Sequence, residues 1–207
     1  VSGPSQRLRL IAAGLVVALG LALDQWTKHW AFTHLRGHPA KVLIPYRLEL
    51  DFAFNAGSAF GMFSNQPLAR PVFIVVTLLA LIYMGVLLWR PPGRNAIWNG
   101  TLALSLMVTG ALGNLVDRLV RVYDARVPIG DRVPFWMIIE HPEELADSIL
   151  RARKFVDLPR HGVVDFIVVH YWHGKRWPTF NVADVCLVVG VSLFVLYLVR
   201  QSKQDAA

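Results

Sequence analysis

Four aspartates, Asp24, Asp117, Asp165 and Asp184, stand at or near the ends of apolar stretches. A carboxylate placed there loses much of its hydration, so it needs a partner, a hydrogen bond or a proton, and such residues are functional candidates by default. Asp165 is the most constrained of the four. It lies in Gly162-Val163-Val164-Asp165-Phe166-Ile167-Val168-Val169, with no cation nearby in sequence. Asp184 follows Asn181 by three residues, the spacing of a capping box at a helix start. Asp117 follows Asn114 at the same interval, but near a helix end, where a carboxylate opposes the dipole and adjacent Arg118 could neutralise it. Asp24 has Lys28 one helical turn further on.

If Asp165 and Asp184 face each other, repulsion and a low dielectric keep one of them protonated. Two such carboxylates can hydrolyse an amide. One takes a proton from water, the other polarises the carbonyl, and the roles exchange as the amine leaves. Which aspartate starts as base is a property of the coupled pair. Competing chemistries have weaker support. The chain has no Gly-x-Ser-x-Gly elbow and no His-Glu-x-x-His. Cys186 sits among apolar residues and reads as core, while His161, His170 and His173 lack a positioned further ligand. Neither metal nor cofactor is expected.

The elements that must position these acids follow from composition. Of 207 residues, 55% are apolar and only 17% charged, against about 25% charged in soluble domains. One cysteine excludes a disulfide scaffold. Apolar runs predict four transmembrane helices at about 10–32, 71–89, 95–117 and 180–199, each near the length that crosses a bilayer. Arg7 and Arg9 ahead of the first run also suit a secretory leader. No small-residue cleavage site follows, however, and the pattern Asp24-Gln25-Trp26-Thr27-Lys28 favours a retained helix. The net charge of +7 accumulates at the borders of apolar runs and no nucleic-acid motif accompanies it, so no nucleic-acid partner is expected. Arg7, Arg9, Arg90, Arg94, Arg200 and Lys203 would share one side, which puts both termini in the cytoplasm. Trp89 and Trp98 would mark the inner interface, and Trp26, Trp30, Trp172 and Trp177 the outer one.

Two long connections then face outward. In the first, 33–69, Leu48-Glu49-Leu50-Asp51-Phe52-Ala53-Phe54 alternates with period two, a strand signal, and Asn55-Ala56-Gly57-Ser58-Ala59 supplies turn chemistry. In the second, 118–178, ten basic and eight acidic residues make a solvated stretch rather than a polybasic tail. Pro142-Glu143-Glu144 opens a predicted helix to about Phe155, with Asp147 and Arg151 paired four apart. The expected fold is therefore an all-α integral membrane protein, a single membrane domain over 1–207. It has four transmembrane helices, a small extracytoplasmic β element and an inserted extracytoplasmic helix.

Five blocks in order, Asp24-Gln25-Trp26-Thr27-Lys28, Asn55-Ala56-Gly57-Ser58-Ala59-Phe60-Gly61, Gly113-Asn114-Leu115-Val116-Asp117-Arg118, Val163-Val164-Asp165-Phe166 and Phe180-Asn181-Val182-Ala183-Asp184, resemble bacterial lipoprotein signal peptidase, signal peptidase II. The resemblance implies a metal-independent aspartyl endopeptidase of the bacterial cytoplasmic membrane, with its active site near the extracytoplasmic face. It would remove signal peptides from prolipoproteins just before the diacylglyceryl-modified cysteine. By position in the motifs, Asp165 and Asp184 would be catalytic. Asn55, Gly57, Asn114, Arg118 and Asn181 would bind substrate, and Asp24, Lys28 and Asp117 would support the site. Preference for Asp165 over Asp117 as the partner of Asp184 rests on this resemblance. The implied partners are lipid-modified prolipoproteins and membrane lipid, with the enzyme acting as a monomer.

Leu119 to Gly162 interrupts what is a short link in the family and is read as an insertion. Its helix and the Phe135-Trp136-Met137-Ile138-Ile139 patch are expected to form an interfacial lid or a partner-binding element. Thr109 stands where the family often has glycine, and Ala56 and Ser58 also depart from its pattern. The rival reading is a proton- or cation-coupled transporter using intramembrane carboxylates, although four spans without a half-and-half duplication argue against alternating access.

Overall fold

The computed structural model describes residues 5–55, 69–89, 97–128, 141–151 and 155–205. Gly57 and the Phe135 to Ile139 patch lie outside the described residues. Among those described, four helices are long and apolar enough to cross a membrane. They are α1 (Gln6–His34), α2 (Ala69–Trp89), α3 (Ile97–Val120) and, last in the chain, α5 (Val182–Asp205). The outer segments supply β1 (Lys41–Ile44), β2 (Leu48–Asn55), β3 (Val122–Pro128), α4 (Pro142–Leu150), β4 (Phe155–His161), β5 (Val163–Tyr171) and β6 (Lys175–Arg176).

Helix α3 packs against α1, α2 and α5, and small residues make this possible. A Cβ on Gly110 would overlap the Ala183 carbonyl and Leu187 of α5, and one on Gly190 would come within 2.8 Å of Met107. Thr109 is accommodated by a glycine opposite: a Cβ on Gly20 would lie 2.7 Å from its Cγ2. Arg9, expected as an orientation signal, is buried and donates to Leu88 O at 2.5 Å, and Gln6 donates to Trp89 O at 2.9 Å. Both satisfy carbonyls that the last turn of α2 leaves open.

The period-two segment forms β2 within an antiparallel sheet of order β1-β2-β5-β6. One face of this sheet packs on the end of α1, where Ala31, Leu35, Val164 and Phe166 are buried with Phe32, Phe52 and Phe54 around them. Trp30 packs on this cluster and stacks with His34, whereas Trp26, Trp172 and Trp177 are exposed. The ladder slips between Leu50 and Ala53, so Asp165 ends opposite Ala53 and Val163 opposite Asn55.

The insertion differs from expectation. Its helix stops at Leu150, where the Arg151 amide donates to Asp147 O at 3.0 Å, and Phe155–His161 pairs as β4 with β3 in an antiparallel ribbon. The signal for β3 was present in Tyr123, Ala125 and Val127 alternating with Asp124 and Arg126. Proline in β4 obscured its partner, and is tolerated because a two-stranded ribbon has only edges. The ribbon base rests on the sheet through Tyr123, 5.1 Å from the Phe54 ring, with the Arg36 guanidinium 4.3 Å above Tyr123. Asp147 and Arg151 form the expected exposed pair at 2.6 Å.

Candidate active site

The backbone brings Asp165 and Asp184 into one site through Phe180. Phe180 bridges antiparallel to Ile167: its amide donates to Ile167 O at 3.1 Å, and its carbonyl accepts the Ile167 amide at 2.8 Å. The next residue, Asn181, caps α5. Its side-chain oxygen accepts the Asp184 amide at 3.0 Å, while its own amide donates to Asp184 Oδ2 at 3.1 Å, the reciprocal pattern of a capping box. Asn181 Nδ2 donates to Asp165 Oδ1 at 2.6 Å. One buried residue thus holds both carboxylates. The cap that would by itself explain Asp184 is formed, and it also delivers that aspartate to Asp165.

Each aspartate has a second donor. Asn114 Nδ2 donates to Asp184 Oδ1 at 2.8 Å, and Asn55 Nδ2 donates to Asp165 Oδ2 at 3.4 Å. Behind them lies a buried ionic cluster. Lys28 Nζ sits 2.9 Å from Asp24 Oδ2 and 3.5 Å from Asp117 Oδ2, with all three side chains fully enclosed, and donates to Asn114 Oδ1 at 2.9 Å. Asp24 accepts the Ala183 amide at 2.8 Å, and Asp117 accepts the Val164 amide at 3.1 Å. Asp24 and Asp117 therefore each hold the backbone N–H of the residue that precedes one of the two candidate catalytic aspartates.

Burial pushes the Asp165 carboxyl up to about 7, and the negative charge of Asp184 adds to the shift. Hydrogen bonds from Asn181 and Asn55 and the charge of Lys28 oppose it without cancelling it. Asp165 therefore holds a proton far more readily than an ordinary aspartate, a property that would suit an acid–base group at neutral pH.

Arg118 does not neutralise its sequence neighbour. Asp117 pairs with Lys28 and with Arg121 Nε at 3.2 Å. The Arg118 charge acts more strongly on Asp184 and Asp165 than on Asp117. Its Nη1 donates to Asn114 O at 3.3 Å, its guanidinium lies 5.5 Å from the Phe73 ring, and its Nε is buried without a hydrogen-bond partner. Asn114 and Asn181 face inward, occupied by the carboxylates and Lys28. Sequence reading missed Arg121 and the role of Gln25, whose Nε2 donates to Asp24, Gly113 O and Asp117 at 3.1 to 3.3 Å. The four-residue step from Asp117 to Arg121 was the available signal.

Among the described residues, no three His, Cys, Asp or Glu side chains converge as a metal-binding group. His170 is paired with Glu49 at 3.0 Å.

The sequence profile of the signal peptidase (SPase) II family matches residues 16–200. The chain belongs to that family. It is thus a signal peptidase, a protease embedded in the membrane, and the family's reaction is the removal of signal peptides from prolipoproteins. Among its relatives, the lipoprotein signal peptidase of Deinococcus radiodurans is 33% identical over 94% of this chain and 83% of its own length. That of Clostridium acetobutylicum is 31% identical over 92% and 96%. Two solved chains described as bacterial membrane enzyme structures obtained by the in meso method share the fold. One has a TM-score of 0.65 at 23% identity, covering 93% of this chain and 90% of its own. The other has a TM-score of 0.61 at 24% identity, covering 90% and 92%.

Proposed function

We propose that this signal peptidase works as an aspartyl endopeptidase through Asp165 and Asp184, cutting prolipoproteins on the N-terminal side of the diacylglyceryl-modified cysteine. The observation that carries the reading is Asn181, which donates to Asp165 from its side chain and to Asp184 from its backbone. The pair shares one proton. In the hydrolytic step the ionised member removes a proton from water, and the hydroxyl oxygen bonds to the scissile carbonyl carbon as the protonated member donates to the carbonyl oxygen. The C–N bond then breaks: the leaving nitrogen takes its proton from the carboxyl that received one from water, and the other carboxylate recovers its proton from a hydroxyl of the tetrahedral intermediate as the new carboxyl group forms.

A signal peptide arrives as an apolar helix whose backbone bonds are satisfied internally, so the segment to be cut must unwind and find new partners. Arg118, with an unused buried donor, joins Asn55 and Gly57 in that role. Asn114 and Asn181 reach the substrate backbone by exchanging bonds they now make to the carboxylates. The lipid on the cysteine stays in the bilayer, which holds the adjacent peptide bond at the depth of the dyad. The termini lie in the cytoplasm and the dyad near the extracytoplasmic face, in line with the arginines at the borders of the spans.

The test uses purified protein in detergent, a lipid-modified precursor and a chelator. Wild type is expected to release the signal peptide, and Asp165→Asn and Asp184→Asn to remain folded, with cooperative thermal unfolding, but without turnover. Comparable cleavage by both variants would reject the dyad.

A further inference from the structure

The β3–β4 ribbon joins the membrane core at Arg121, the residue after α3. This residue makes more connections to the site than its place at the base of an insertion requires. Its amide closes the helix on Asp117 O at 2.9 Å, and its carbonyl accepts the Gly162 amide at 3.3 Å, so the outgoing and returning strands are clamped together. Its side chain turns back into the site. Nε donates to Asp117 Oδ1 at 3.2 Å and Nη2 to Gln25 Oε1 at 3.5 Å, with the guanidinium 5.8 Å from the Phe32 ring. The other oxygen of Asp117 accepts the Val164 amide.

Charge balance gives this contact its weight. Asp24 and Asp117 carry two negative charges in an enclosed cluster, and Lys28 supplies one positive charge. Arg121 supplies the second and makes the cluster neutral. Arg118, three residues earlier, interacts with Asp184 and Asp165 ahead of Asp117. Without Arg121 an uncompensated negative charge would sit at the carboxylate that anchors the strand of Asp165, and such a charge would be only weakly screened.

We propose that Arg121 is a positioning residue for peptide hydrolysis: it orients and neutralises Asp117, which fixes the Val164 amide and so the place of Asp165, and it ties that placement to the base of the inserted ribbon. Three links connect Arg121 to Asp165: guanidinium to Asp117, Asp117 to the Val164 amide, and the peptide bond to Asp165. The proposal rests on the dyad reading above.

The groups facing Asp165 set the sign of the pH effect. Asp184 from α5 favours its protonation, while Asn181, Asn55 from β2, Lys28 from α1 and the Arg118 charge from α3 favour its ionised form. Removing the Arg121 charge adds to the negative side, so the alkaline limb of activity moves to higher pH. Arg121→Gln, Arg121→Lys and Asp165→Asn are compared as full-length proteins in lipid nanodiscs with a lipidated precursor. Hydrogen exchange of the peptide carrying the Val164 amide is followed in parallel. Arg121→Gln is expected to lower kcat about tenfold with KM within about twofold, to raise the alkaline limb, and to speed exchange at Val164. Arg121→Lys keeps the charge but not the link to Gln25. It is expected to lose about threefold in kcat with the limb unmoved and exchange modestly faster.

A Gln variant with wild-type kcat and pH profile overturns the proposal, as does a Lys variant no better than the Gln variant. If the Gln variant does not fold, the Lys variant decides: faster exchange with reduced kcat supports the link, and wild-type exchange overturns it. Turnover by Asp165→Asn would instead overturn the dyad reading, so the two failures are distinguishable.

Discussion

Asp24 on the first helix accepts the backbone amide of Ala183 on the last at 2.8 Å, one residue before Asp184. A side chain buried beside Lys28 therefore sets the height at which α5 presents its aspartate. Asp24→Ala removes this grip and one half of a buried ion pair. Loss of about 3–5 kcal/mol of stability and of about a hundredfold in kcat is expected, read by thermal unfolding and by precursor cleavage. Wild-type kcat would show that the Ala183 contact is dispensable.

Lys28→Met leaves Asp24 and Asp117 facing each other with only Arg121 to compensate. It is expected to cost about 3–5 kcal/mol. Adding Asp24→Asn should recover part of that stability, because it removes one of the two stranded charges. A double-mutant cycle on detergent-solubilised protein measures the coupling.

The protonated state of Asp165 has two readable consequences. The alkaline limb of kcat/KM should fall near pH 7, where Asp165 gives up the proton the pair shares. The stability consequence has a definite sign. The carboxyl ionises at about 7 in the folded protein, against about 3.9 for an aspartate in an unfolded chain. Its contribution is fully present below the lower value and is lost as pH rises through the upper one. Asp165→Asn mimics the neutral form, so it should unfold at a higher temperature than wild type above pH 7 and at nearly the same temperature below pH 4. A gap that widens toward acid would contradict this.

Glycines in the bundle separate close packing from mere flexibility. A Cβ on Gly113 would overlap Asp24 Oδ2 and approach Ala183 Cβ to 3.0 Å, whereas one on Gly14 meets nothing within 4 Å. Gly113→Ala should cost about 1–3 kcal/mol and reduce cleavage by displacing the Asp24 carboxylate, while Gly14→Ala should be neutral or mildly stabilising. Gly20→Ala should also destabilise, and Thr109→Ala should relieve it, since Thr109 is the side chain it would strike.

The four spans and β2 were legible because apolar length and period-two alternation are local signals. Asp165 could be picked out because no neighbour in sequence neutralises it. What local pattern does not contain is pairing across the chain. Asp117 has Arg118 beside it in sequence yet binds Lys28, 89 residues earlier, and Arg121, one turn on. Asn114 and Asn181 read as donors available to substrate, and their engagement with the carboxylates depends on α3 meeting the start of α5. The β3–β4 ribbon was missed for the same reason: its strands are short, one contains proline, and the partner lies beyond an intervening helix.

The dyad's split origin bears on how the enzyme is made. Asp165 sits on a strand held by β2 and α3, whereas Asp184 arrives on the helix that leaves the ribosome after all of these. A nascent chain halted ahead of that helix carries one acid without its mate. On the proposed dyad, peptide-cutting ability would therefore await the docking of the last-made span against the first and third helices.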